Sequence, residues 1–154
     1  MIKEMEIKNF KCFESLKLDL KPLNVLMGLN GMGKSTVIQS LLLLRQSYQD
    51  NGLSDLKLNG SYVMLGNGSD ILSEQSENEE IEFCIKEDDG YLHVCSDYIP
   101  DSDLLPNSRL DNQFLKDKSS IVFNDRFLYL SAYRIEPRAL YHIADEKELQ
   151  RRDF

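Results

Sequence analysis

Cysteine is scarce in this chain of 154 residues. Cys12, Cys84 and Cys95 are all there is, with no Cys-x-x-Cys pair and one thiol left over from any pairing. That pattern suggests neither a disulfide framework nor a zinc site. Long apolar runs are missing too, since no stretch approaches the roughly 18 apolar residues of a membrane span. The opening "MIKEMEIKNF" alternates charged and apolar residues and has no continuous hydrophobic region, so it does not read as a secretory signal. Nor is there a positive excess: 18 Lys and Arg stand against 26 Asp and Glu, a formal charge of -8. A basic nucleic-acid footprint over the whole chain is therefore excluded. Internal repeats and coiled-coil heptads are absent. These gaps leave a soluble, cytoplasmic globular protein with no membrane partner as the expectation.

What is present has the makings of one core. Hydrophobic residues make up 42% and charged residues 29%, ordinary globular values. The acidity is local. Residues 1–50 carry seven basic and five acidic side chains, 51–105 two and thirteen, and 106–154 nine and eight. A basic patch at either end is thus compatible with the total.

Alternation of apolar and polar residues predicts strands at "MEIKNF" and "SLKLDL", joined by a short connection and so paired as neighbours. "LNVLM" (23–27) is apolar without alternation, as in a central strand covered on both faces. After it, Val37, Ile38, Leu41, Leu42, Leu44 and Tyr48 recur at helical spacing, with Leu43 on the opposite side. That pattern predicts a helix buried nearly all round and stopped by "DNG", with Gly52 as its C-terminal cap. Short strands and turns follow through "LKLNGSYVMLGNGSD", and "SEQSENEE" (73–80) reads as a solvated rim. "IEFCIKEDDGYLHVCSDY" predicts a hairpin around an Asp89-Gly90 turn. In that register Ile85 faces Val94, Glu87 faces Leu92, Lys86 faces His93, and Cys84 faces Cys95. The two cysteines are read as reduced thiols and His93 as a surface imidazole. Residues 100–113, with two prolines, read as a loop. "SIVFNDRFLYLSAYRIEP" reads as one or two strands, and the charged tail from Asp145 as helical.

Between the apolar strand and the helix lies Gly28-x-x-x-x-Gly33-Lys34-Ser35, followed by Thr36. This is the complete phosphate-binding loop pattern. Each residue type answers a need of the chemistry. Successive N–H groups must turn inward around an anion, which calls for glycine where φ is positive or where a Cβ would obstruct the phosphate. Lys34 supplies a point charge to the β- and γ-phosphates, and the Ser35 hydroxyl suits Mg2+. The following helix turns its free N–H groups and dipole toward the same anion. Chance alone produces the four fixed positions on the order of once in a couple of hundred chains of this length. A buried strand before and a buried helix after make coincidence rarer still.

"GLNGMGKST", preceded by "IKNFKCFESLKLDLKPLNVLMG", resembles the N-terminal lobe of SMC/RecF-like ATPases, ABC-type heads that also include the overcoming-lysogenization-defect nucleases. The later "YVMLGNGSDIL" and "YLSAYRIEPRALY" look like a prokaryotic branch of AAA-family ATPases, several of them in anti-phage defence loci. The resemblance implies an α/β P-loop fold, with a mixed or antiparallel sheet around one long Walker A helix. It implies that Asn30, Gly31, Met32, Gly33, Lys34, Ser35 and Thr36 wrap the phosphates of ATP together with Gly28, that Lys34 is catalytic, and that Ser35 holds Mg2+. It also sets Lys11, in "NFKCF", near the nucleotide, with Cys12 where the family often has serine. Asp70 falls roughly where such heads carry a metal- or water-contacting glutamine.

Two family motifs do not occur in these 154 residues: four apolar residues followed by Asp-Glu, and a Ser-Gly-Gly signature. The nearest acidic candidate is "SIVFND", ending at Asp125. The expectation is a single N-terminal lobe over residues 1–154, divided into 1–50, an acidic β-rich 51–105 and 106–154, with the C-terminal lobe elsewhere. The whole protein would then hydrolyse ATP as a homodimer sandwiching two nucleotides and would act with a nuclease or DNA partner. Alternatives are a regulatory module that binds ATP without hydrolysing it and a P-loop small-molecule kinase. Arg134 and Arg138 read either as surface arginines matched to Glu136 or as phosphate or subunit contacts.

Overall fold

A computed structural model describes residues 1–114 and 120–130. Among these described residues are six strands and one long helix: β1 (Ile2–Phe10), β2 (Phe13–Asp19), α1 (Lys34–Asn51), β3 (Asp55–Lys57), β4 (Glu80–Glu87), β5 (Gly90–Asp97) and β6 (Leu104–Phe114). The strands form one sheet in the order β2-β1-β4-β5-β6-β3. Every neighbouring pair among the described residues is antiparallel.

Alternation decides its two faces. Met5, Ile7, Ile81, Phe83, Ile85, Leu92 and Val94 point to one side and join Leu42, Leu43 and Leu44 of α1 in a single core. Phe10 and Phe83 meet edge to face with ring centroids 5.2 Å apart. The intervening residues form a charged outer face, where Glu4 takes both Lys17 (2.8 Å) and Lys86 (2.6 Å). No helix among the described residues is long and apolar enough to cross a membrane.

Several expectations change. The β4–β5 hairpin turns at Asp88-Asp89, and the register slides by two: Ile85 pairs with Leu92, Cys84 with His93, and Glu82 with Cys95. Gly90 belongs to β5 because a Cβ there would strike the Gln113 carbonyl and lie 2.9 Å from the Phe114 Cα. Close approach of β6, and not turn geometry, calls for this glycine. All three cysteines are free.

Most of the stretch 100–113, expected as loop, instead belongs to β6, the longest of the described strands. Pro106 is tolerated there at the pairing with Asp55 of β3, where β6 passes from one partner to the other. Residues 120–130 form turns and not strands, with Val122 and Phe123 buried in the core. The helix begins at Lys34 and ends at the left-handed Gly52, whose N–H reaches the Ser47 and Tyr48 carbonyls. Leu42 to Ser47 are all buried, so the helix is covered all round over that stretch, while Ile38 and Tyr48 on either side of it are exposed.

The largest departure precedes the loop. Residues 23–27 form no strand. Leu23, Val25 and Met27 are 83%, 70% and 86% exposed. Their apolar side chains need a covering surface that no described residue provides.

Candidate functional site

The loop expected to hold phosphate has the backbone that task requires. Gly28, Gly31 and Gly33 all have positive φ, at 146°, 83° and 80°, conformations that a side chain disfavours. The chain turns at Asn30 and Gly31, leaves Met32 exposed, and enters α1 at Lys34. Lys34 reaches back over the loop. Its Nζ donates to the carbonyl oxygens of Gly28 (2.8 Å) and Leu29 (2.6 Å), which uses two of an ammonium's three donors. The first helical N–H groups have no partner within the helix, no side chain caps them, and the first turn carries no acidic residue. Ser35 is exposed and Thr36 is buried. This donor set fits a polyphosphate with Mg2+: amides and a lysine for the anion, one open hydroxyl for the cation, and no carboxylate to repel the phosphates.

The β1–β2 turn closes one side of the loop. A Cβ on Gly33 would collide with the Phe13 ring and stand 2.7 Å from Cys12 Sγ. Glycine at 33 is therefore required by its own protein as well as by φ. Cys12 Sγ also lies 3.8 Å from Thr36 Oγ1, so the thiol takes up the position of a hydroxyl partner. The turn is held in a conformation unusual for side chains, with Asn9 and Lys11 both at φ 54°. Lys11 N–H donates to Ile71 O (2.6 Å), and Ser73 N–H to Asn9 O (3.1 Å). Asn9 Nδ2 donates to Asn78 Oδ1 and to Glu80 O.

A model of the family described as "AAA ATPase domain" matches residues 1–150. The chain belongs to that family. Among curated proteins, this ATPase domain is 41% identical over 44 residues to an OLD nuclease of Thermus scotoductus, a match covering 29% of this chain and 8% of that protein. It is also 41% identical over 44 residues to the DNA replication and repair protein RecF of Lactococcus lactis, covering 28% of this chain and 12% of the relative. The match thus spans only a small fraction of those relatives' length. No solved structure matches.

Two further residues fall beside the loop of this ATPase domain. Lys11 Nζ donates to Gln39 Oε1 of α1 at 3.1 Å, one helical turn beyond Ser35. Burial pushes the Lys11 ammonium below its usual range, against the opposing pull of Asp70 and Cys12. Lys11, Cys12 and Asp70 line one cavity of about 490 Å3. The Asp70 carboxylate accepts the Asn67 N–H at 2.8 Å and closes a capping box, so its observed role is to shape that wall. Asp125 is exposed in a turn and does not end a strand. Arg134 and Arg138 lie outside the described residues.

Sequence reasoning missed Arg45 and Gln46. Both are buried in α1. Arg45 donates to the carbonyls of Val122 (2.6 Å) and Asn124 (3.0 Å) and stacks over the Phe127 ring, 4.8 Å from its centroid. Gln46 donates to Lys57 O and accepts from the N–H groups of Tyr62 and Val63. The helical spacing of the apolar residues assigned neither of them a role. The only hint was their place inside the run that includes Leu42 to Leu44.

Proposed function

We propose that residues 28–36 bind ATP with Mg2+ and that this chain is the N-terminal lobe of an ATP-hydrolysing head. Gly28, Gly31 and Gly33 leave room for the phosphates. Lys34 neutralises the charge that spreads over the transferred phosphoryl group, and Ser35 holds the metal. Mg2+, when bound, shields the phosphate oxygens. The observation that carries this reading is Lys34 poised over the loop, with its ammonium on the Gly28 and Leu29 carbonyls. Lys11 is the second cation for the same anion.

The uncovered run 23–27 supports the view that a C-terminal lobe bearing the second acidic motif adds strands beside it. In the whole protein two such heads face each other across two nucleotides, and hydrolysis gates a nuclease or DNA-related partner. A second reading, assembly on ATP without hydrolysis, draws support from Asp125, the nearest acidic candidate, because it lies in a turn.

Calorimetry and single-turnover assays on the intact gene product test these readings. Mg-ATP should bind, and Lys34→Ala should weaken it at least about tenfold by removing a charge-assisted contact. Absence of binding overturns the proposal. Binding with equal phosphate release from Lys34→Ala and the parent selects assembly without hydrolysis.

A further inference from the structure

The outer face of the sheet, opposite α1, carries a second constellation. The β4–β5 register sets Glu82 directly across from Cys95, and His93 stands two residues before Cys95 on the same face. His93 Nε2 lies 3.2 Å from Glu82 Oε2 and 3.4 Å from Cys95 Sγ. All three donor atoms fall within 4.8 Å of one another. Glu82 and His93 line a cavity of about 270 Å3 together with Lys8, Cys84 and Tyr91.

A cysteine, a histidine and a carboxylate in contact invite two chemistries, and the geometry separates them. A nucleophilic relay needs one imidazole nitrogen on the thiol and the other on the carboxylate. Here the same nitrogen, Nε2, meets both. Such an arrangement cannot pass a proton along a line, but it aims three lone-pair donors at one point. Around a tetrahedral zinc ion, with bonds of about 2.0–2.3 Å, neighbouring donors stand about 3.3–3.7 Å apart. The two distances on Nε2 lie at or just below that range.

A cation already sits at the rim. Lys8 Nζ is 3.2 Å from the same Glu82 oxygen and 3.8 Å from Glu6 Oε1.

We propose that Glu82, His93 and Cys95 form a three-ligand site for a borderline-soft divalent cation of the zinc type, its fourth position open to the cavity. Binding replaces the Cys95 S–H bond with an S–metal bond and releases the proton to solvent. The Lys8 ammonium turns aside toward Glu6. The ion ties β4 to β5 on the face away from the nucleotide loop, so the site is independent of ATP. Sequence spacing gave no sign of it, because Glu82 comes from the other strand.

The test is titration of the full chain with Co2+, followed by displacement with Zn2+. One equivalent of Co2+ should raise a thiolate-to-cobalt charge-transfer band that Zn2+ abolishes. Cys95→Ser should remove the band. His93→Gln, at a partly exposed position, should weaken binding at least about tenfold. Cys84→Ser should change nothing, and Lys8→Met should tighten binding by roughly tenfold through loss of a competing charge. Absence of the band in the parent chain, its survival in Cys95→Ser, or its loss in Cys84→Ser overturns the site. Should Cys95→Ser fail to fold, unchanged affinity in His93→Gln overturns it equally.

Discussion

Gly33 carries two demands that happen to agree. Its φ of 80° is one that L residues rarely adopt, and the space a Cβ would need is taken by Phe13 and by Cys12 Sγ. Gly31, at φ 83°, meets the first demand alone, since nothing lies within 4 Å of its would-be Cβ. The two substitutions should therefore part company. Gly31→Ala should cost about 1 kcal/mol, the price of backbone strain. Gly33→Ala should cost at least about 2–3 kcal/mol, because the β1–β2 turn must also shift. Urea unfolding of the two variants measures the difference, and equal values would show that the packing of Cys12 and Phe13 on the loop is not tight. The glycine pattern was legible because it is local. That Gly33 also packs against Phe13 was not, since twenty positions separate the two residues.

Helix α1 is the element that joins loop to core, and its polar residues fasten it as firmly as its leucines. Arg45 satisfies two carbonyls of the 120–127 turn, and its guanidinium is hydrogen-bonded to Tyr62 and stacked on Phe127. Replacing it by alanine leaves the buried Val122 carbonyl without a donor and removes the stacking. The expected loss is about 3 kcal/mol, read from thermal or urea unfolding. The 120–127 turn should loosen as well, so limited trypsin digestion should cut after the exposed Arg126 faster in Arg45→Ala than in the parent. Unchanged stability and unchanged cleavage would contradict this account. The β4–β5 hairpin shows the limit of local reading at the same scale. Alternation assigned each side chain to its correct face, and a slip of two residues leaves that assignment intact. The pairing itself was decided by β6, whose approach leaves no room for a side chain at Gly90.

Across the whole molecule the charged outer face is a pairing surface for acids in a chain of net charge -8. Glu4 lies below the ordinary carboxylate range because Lys17, and then Lys86, donate to it. Burial pushes Glu82 up, but His93 and Lys8 together outweigh it and hold the carboxyl below the ordinary carboxylate range. The sign follows from linkage: a carboxylate depressed in the folded state stabilises the fold above its unfolded pKa, and that contribution is lost as pH falls through the folded value. Stability should therefore be flat with respect to these two groups above about pH 5 and fall progressively below it. Glu82→Gln should make the acid limb shallower. Urea midpoints between neutral pH and pH 3 give the comparison, and an unchanged acid limb in Glu82→Gln would remove Glu82 from the explanation.

The sequence alone determined the glycine-rich loop, the helix that starts at Lys34, its glycine stop and the β1–β2 pair. Each of these is written in residues a few positions apart, where spacing and backbone freedom are enough. Tertiary structure decided the rest: β6 as a strand despite Pro106, the turn at 120–127, the uncovered face of residues 23–27, and the meeting of Glu82 with His93 and Cys95. Periodicity states which side of a strand is apolar. It does not state which strand lies alongside, because that choice is made by contacts between residues far apart in the chain.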